Sequence, residues 1–427
     1  MRKVRRSLFC VFCAVMIVAA TAFFPACVRA EAATAQDGGA SDSGAVPDGG
    51  GDDSGVVPDG GPGIGAVSGV LMEAETGTVI FGKAADERLS PASVTKVMTL
   101  LLIFDALEEG SLKLTDTVTT SARAKSMGGS QVFLEEGETQ DAETMIKCIV
   151  IASGNDASVA MAEHLAGSEE EFVRRMNERA AGLGMKNTHF EDCCGLTDSD
   201  NHYTTARDIA LMSRELIVKH PKVLEYSSIW MENITHVTRK GSSEFGLSNT
   251  NKLVRTYDGC VGLKTGSTSK AKFCLSAVAQ RNGITLISVV MASPDSKTRL
   301  KDASSLLDYG FGRCTLYKDE KMETLPKLPV ERGVKGTAAL TYEKEFRCLS
   351  TDGNTFENVE KKLVLPEKAA APVKEGEQAG ELIYLQDGKE LGRVAVLYGE
   401  SVAKAGYGDS LRKVADIFFD KHGEAGV

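Results

Sequence analysis

Apolar and polar positions divide the chain into stretches with different periods, and each stretch predicts an element. Val67 to Met72 and Val79 to Phe81 are apolar runs on either side of Thr76-Gly77, which predicts a hairpin and sets the start of folded structure near Ala66. Ser93 to Leu107 and Ala142 to Ala152 are mostly apolar over helical lengths and predict two buried helices. Ser168-x-x-Glu171 and Thr205-x-x-Asp208 set a capping hydroxyl three residues ahead of an acid, the start signal of two more helices. Ala271–Gln280 and Ile284–Ser293 are strand-like and meet at Asn282-Gly283, a pair that supplies the left-handed turn of a tight hairpin. Ser296 to Tyr309 returns to helical spacing. Strands, then a helical block, then strands and a closing helix predict an α/β (α+β) unit, an antiparallel sheet with helices on it.

Beyond Cys314 the texture changes to short alternating runs, with a second hairpin whose arms Glu381–Leu385 and Leu391–Leu397 turn at Asp387-Gly388. This predicts a small all-β domain over residues 313–402. In the tail, 403–427, Leu411, Val414, Ala415 and Phe418 share one face of a helix. At the other end, Arg2, Lys3, Arg5 and Arg6 precede an apolar run to Phe24. Val28-Arg29-Ala30 then offers small residues for cleavage, so residues 1–30 are expected to be a signal peptide rather than a membrane anchor. Residues 31–65 are rich in Gly, Asp and Ser and contain a near-duplicate, Asp42 to Gly50 and Asp53 to Gly61. They bury too little apolar surface to offset ordering and read as a flexible linker.

Charge and cysteine content narrow the function. The 427 residues carry a formal net charge of −10, which argues against nucleic acid as a partner. Seven cysteines follow the leader, an odd number without regular spacing, so buried free thiols are expected rather than a disulfide framework. No Cys-x-x-Cys or matching histidine pattern indicates a metal site.

Three short motifs carry candidate chemistry. Ser93-Val94-Thr95-Lys96 puts a hydroxyl and an amine one turn apart at a helix start, within reach of each other. A serine needs a base to take its proton, and lysine serves only when neutral, which burial or a neighbouring positive charge favours. Ser153-Gly154-Asn155 lies between two helical stretches. Ser153 is placed to relay protons and the Asn155 amide to hold a substrate carbonyl, although a plain turn with Asn155 as N-cap fits as well. On a strand, Lys264-Thr265-Gly266 would point Lys264 into a cleft as a fixed positive charge. Thr265 would then meet a substrate carboxylate, and Gly266 would let substrate backbone approach closely. Each motif alone has an ordinary structural explanation.

Their order does not. Ser-x-x-Lys, Ser-x-Asn and Lys-Thr-Gly in succession resemble the penicillin-binding proteins and serine β-lactamases. Pro91 to Thr99, Ser153 to Ala157 and Gly262 to Gly266 resemble the D-alanyl-D-alanine carboxypeptidases in particular. So do Met176-Asn177, Leu183-Gly184-Met185, Gly195-Leu196 and His202 to Asp208. The resemblance spans roughly residues 66–311, so residues 66–312 are expected to form a catalytic domain of the penicillin-binding/β-lactamase type. It implies that Ser93 attacks the bond between two terminal D-alanines of a peptidoglycan stem peptide, with Lys96 as base. The oxyanion would rest on the N–H groups of Ser93 and Ser267, and Ser153 and Lys264 would protonate the leaving D-alanine. It further implies acylation by β-lactam antibiotics, no metal and no organic cofactor, export, and a tail in weak peripheral contact with the membrane.

Two departures stand out. Where many relatives have Arg between two Asn residues, this chain has Asn249-Thr250-Asn251, leaving carboxylate recognition to Thr265, Ser267 and Lys264. Ahead of Gly195-Leu196 stands Asp192-Cys193-Cys194, either small residues filling a turn or a redox pair. A serine β-lactamase and a wall-binding pseudoenzyme are the competing readings. The first lacks a convincing deacylating Glu between Asn155 and Lys264, and the second is disfavoured by the complete motif set.

Overall fold

The computed structural model describes residues 61–239, 241–412, 414 and 415. The leader, most of the linker and the end of the tail with Phe418 and Phe419 lie outside the described residues. Packing begins at Ile64, two residues ahead of the expected start, and the Ala66 N–H donates to Asp302 at 2.8 Å. The first hairpin is β1 (Ser68–Glu73) with β2 (Val79–Lys83). A 3-10 turn over Ala92–Thr95 then runs into α1 (Lys96–Glu108). The short strands β3 (Thr117–Thr119) and β4 (Thr139–Asp141) pair around the one-turn helix α2 (Ala122–Lys125). The helical block continues through α3 (Ala142–Val150), α4 (Asn155–Ala166), α5 (Glu169–Gly182), α6 (Ala206–Lys219) and α7 (Val223–Ser227). A polar hairpin, β5 (Met231–Thr238) and β6 (Gly241–Ser248), leads to α8 (Leu253–Thr256). Strands β7 (Cys260–Thr268), β8 (Lys272–Arg281) and β9 (Ile284–Ser293) and helix α9 (Ser296–Arg313) complete the unit.

The main sheet is antiparallel throughout, in the order β2-β1-β9-β8-β7. Its two faces are both buried, which is why these strands read as nearly continuous apolar runs. Side chains alternate between faces: Val70, Met72, Ile287 and Val289 join the core of the helical block, whereas Leu71, Leu286 and Val290 pack with Leu306 and Leu307 of α9. Helix α9 lies close on the sheet at Gly310, where a Cβ would come within 2.6 Å of Leu286 and 2.7 Å of Leu71. The β8–β9 turn takes positive φ at both Asn282 (52°) and Gly283 (77°), the conformation the Asn-Gly pair favours.

After α9 the chain forms the all-β domain. Its largest sheet has four strands, with Gln378–Gln386 paired to Lys389–Tyr398 at the centre. The Phe346 ring stacks on Tyr384 at 3.7 Å, and the Tyr384 hydroxyl donates to Asp319 at 2.8 Å, so the small core has a polar tether as well as apolar contacts. Residues 407–412 are helical, and Leu411 and Val414 are exposed. Among the described residues, no helix is long and apolar enough to cross a membrane.

The hydroxyl half of both expected capping boxes forms: Ser168 accepts the Glu171 N–H ahead of α5, and Thr205 accepts the Asp208 N–H ahead of α6, while the Asp208 carboxylate turns to Asn187 and Thr188. Thr205→Ala is therefore expected to lower stability by about 0.5–2 kcal/mol, read from the midpoint of urea unfolding.

Candidate active site

Ser93 occupies the 3-10 turn ahead of α1, and Lys96 is the first residue of that helix. The turn is tight because Ala92 has φ of 47°, a left-handed conformation that costs a non-glycine residue energy and persists only where neighbours hold it. The neighbours are visible. Thr95 Oγ1 donates to the Ala92 carbonyl at 2.8 Å. Gly195 presses on the same carbonyl so closely that a Cβ there would lie 1.8 Å from it. Across the cleft, a Cβ on Gly266 would meet Pro91 O at 2.6 Å and the Ser93 nitrogen at 3.0 Å. Gly266 is thus required by the approach of β7 to the serine turn itself.

Lys96 is wholly buried, and its ammonium donates to Ser93 Oγ at 3.1 Å, Asn155 Oδ1 at 2.6 Å and Cys194 O at 3.0 Å. Burial pushes its pKa down, an effect that Cys194, Cys193 and Asp192 partly oppose. Lys264 is equally buried and, among the described residues, donates only to Thr265 O, at 3.0 Å. Burial, then the charges of Lys96 and Arg299, hold its pKa well below that of a free lysine. That direction runs against the expectation of a fixed positive charge at Lys264, since burial and two neighbouring positive groups all disfavour its protonated form.

Asn155 is not the N-cap of α4; Gly154 is, and Asn155 opens the helix. Its Oδ1 accepts from Lys96 and its Nδ2 donates to Gly128 O at 2.7 Å, which fixes the amide and leaves the second Nδ2 hydrogen for a substrate carbonyl. Ser153 sits in the preceding turn with φ of 64°, and its buried hydroxyl has no hydrogen-bond partner among the described residues. Thr265 Oγ1 donates to Thr250 Oγ1 at 2.7 Å, which ties the Lys-Thr-Gly strand to the threonine that stands between two asparagines. Ser267 is exposed at the end of the motif.

Arg299 escaped the sequence reading, and Asp192 and the vicinal cysteines, singled out there, take roles it did not assign. The Asp192 carboxylate gathers the N–H groups of Cys194, Gly195, Leu196 and Thr197, and so shapes the turn that presents Cys194 O to Lys96. The vicinal cysteines act through their carbonyls, since Cys193 O accepts from Thr99 Oγ1; the Cys193 thiol is held well above its usual pKa by its contact with Cys194 and by burial. Arg299 of α9 reaches Gly266 O at 3.2 Å and Cys274 O at 3.3 Å. A basic residue four positions ahead of Ala303, on the apolar face of that helix, was the signal for it. The group Asp105, Glu108 and His220 has metal-ligand spacing, but Asp105 already meets His220 and two cations, Lys219 and Arg179, which offset its charge.

A serine hydroxyl whose basic neighbour is a buried amine is equipped for acyl transfer, and on this sheet-and-helix frame it belongs to the class of serine peptidases that penicillin acylates. A family model described as D-alanyl-D-alanine carboxypeptidase matches residues 57–295, and one described as the C-terminal domain of penicillin-binding protein 5 matches residues 313–404. The D-alanyl-D-alanine carboxypeptidase DacF of Bacillus subtilis is 41% identical over 345 residues, covering 80% of this chain and 87% of that protein. DacA of Escherichia coli K12 is 34% identical over 77% of this chain and 82% of its own. The crystal structure of penicillin binding protein 5 from Haemophilus influenzae is similar with a TM-score of 0.65 at 30% identity, over 82% of this chain and 100% of that one. The chain belongs to the D-alanyl-D-alanine carboxypeptidase family and is a serine-type D-Ala-D-Ala carboxypeptidase.

The lowered pKa of Lys96 gives a signed expectation. Acylation by penicillin should rise with pH as Lys96 loses its proton, with a midpoint below that of a free lysine. Lys96→Arg, which stays charged, should slow acylation about 100- to 10,000-fold, measured by rapid mixing with a chromogenic β-lactam.

Proposed function

We propose that Ser93 is the nucleophile that removes the terminal D-alanine from peptidoglycan stem pentapeptides, with Lys96 as its base. The carrying observation is the arrangement around Lys96 Nζ. A neutral amine has two hydrogens and one lone pair. With the hydrogens given to Asn155 Oδ1 and Cys194 O, the lone pair is left for the Ser93 hydroxyl. Ser93 then attacks the penultimate carbonyl, and the oxyanion rests on the backbone N–H groups of Ser93 and Ser267. The buried Ser153 hydroxyl, acting with Lys264, passes a proton to the departing D-alanine amine. Water hydrolyses the ester, whereas penicillin, which imitates the dipeptide, leaves Ser93 acylated. The substrate carboxylate falls to Thr265, Ser267 and Lys264.

The same reading gives the rest of the chain its place. Residues 1–30 direct export and residues 31–65 act as a spacer. The catalytic domain of residues 66–312 works outside the cytoplasm, where its substrate is assembled into wall, and residues 313–402 hold it away from the membrane. The exposed Leu411 and Val414 support a tail that touches lipid, although its basic residues are balanced by acids, so the contact is weak.

Two experiments test this. D-alanine release from a diacyl-Lys-D-Ala-D-Ala peptide should be abolished by Ser93→Ala, together with the covalent mass gain on penicillin; release that persists in the variant rejects the nucleophile. Co-flotation of the mature protein with anionic liposomes should fall on deleting residues 409–427, and unchanged flotation rejects the membrane contact.

A further inference from the structure

His202 is almost wholly buried, and its two ring nitrogens reach two different parts of the active site. Nδ1 lies 3.1 Å from the Glu191 nitrogen and accepts its N–H, which assigns the ring proton to Nε2. Nε2 lies 2.9 Å from Thr95 Oγ1, and Thr95 in turn donates to the Ala92 carbonyl. One side of the ring therefore grips the turn that carries Ser93. The other grips the start of the segment that carries Asp192, Cys194 and Gly195. These are the segments whose separation sets how Lys96 Nζ sits between Ser93 Oγ and Cys194 O. Phe190 packs edge-on against the ring at 5.8 Å and leaves it little freedom to turn.

We propose that neutral His202 is a positioning residue for the acylation step, clamping the serine turn to the segment that orients the base. The clamp works in one protonation state only. An imidazolium donates from both nitrogens, so it loses the Glu191 N–H and sets a donor against a donor. The surroundings favour the neutral ring: burial lowers its pKa, Asp192 and Glu191 oppose that shift, and His189 and Lys270 reinforce it. Thr95 and Phe190, which also pack on it, carry no charge. Acylation then depends on two deprotonations, Lys96 and His202, and both are lost as pH falls.

The inference rests on Ser93 as the nucleophile, which Ser93→Ala tests separately. Its own test is the rate of acylation by penicillin as a function of pH, expressed per titratable site, for wild type, His202→Ala and His202→Gln in the mature full-length protein. Wild type should show an acidic limb that steepens from one proton to two. His202→Ala should be slower at neutral pH by about 10- to 100-fold, the scale of a misplacement of about 1 Å, with KM for the diacyl peptide nearly unchanged. His202→Gln keeps an N–H for Thr95 without a titrating ring, so it should recover part of the rate and show a one-proton limb. The proposal is overturned if both variants keep the wild-type rate per site. It is equally overturned if the second proton survives in His202→Gln, or if the loss in His202→Ala lies only in the fraction of folded, titratable enzyme.

Discussion

Everything near the cleft follows from burying Lys96. An ammonium removed from water costs several kcal/mol unless it is partnered, and it sheds its proton when the partners fall short. Here three oxygens surround Nζ, and each comes from a separate piece of chain: Ser93 from the turn, Asn155 from the start of α4 and Cys194 from the Asp192 loop. Such a set converges only if those pieces are fixed against one another. The backbone shows how tightly they are fixed, with Ala92 and Ser153 both held at positive φ and Gly195 in contact with the Ala92 carbonyl. The local strain is supported by a deep core, since α1, α3 and α4 bury most of their apolar side chains in one continuous cluster.

Elements whose cause is local could be read from the sequence. The Asn282-Gly283 and Asp387-Gly388 hairpins form with both turn residues at positive φ, and the Ser168 and Thr205 caps bond where their spacing puts them. Alternation in β8 and β9 was hidden by burial on both faces, yet their length and turn were enough. The polar hairpin β5–β6 left no comparable mark, because its outward residues Thr235, Ser243 and Glu244 alternate with few apolar ones. The one-turn helices α2, α7 and α8 are too short to show a period.

The site divided along the same line. Serine, lysine and the Lys-Thr-Gly strand announce themselves as residue types in order. Contributions made by backbone do not: nothing about Cys194 as a letter says that its carbonyl holds a lysine, and Asp192 reads as an ordinary turn acid until its four N–H partners are seen. The downward shift of the Lys264 pKa was likewise out of reach, because it depends on burial in the fold and then on Lys96 and Arg299, which lie far away in sequence. The Thr250 substitution was visible as a departure, but its contact with Thr265 required the fold.

The position of β7 has a wider consequence. Among the described residues it is the last strand of the sheet, paired with β8 on one side and with no strand on the other. An unpaired margin is usually a liability, because any extended chain of the same or another protein can template on it. In this molecule the margin carries Lys264, Thr265 and Gly266 and runs past the serine turn, so the vacancy in the sheet and the reacting hydroxyl share one place. A guest peptide that completes the sheet is ranked by its backbone, which every sequence shares.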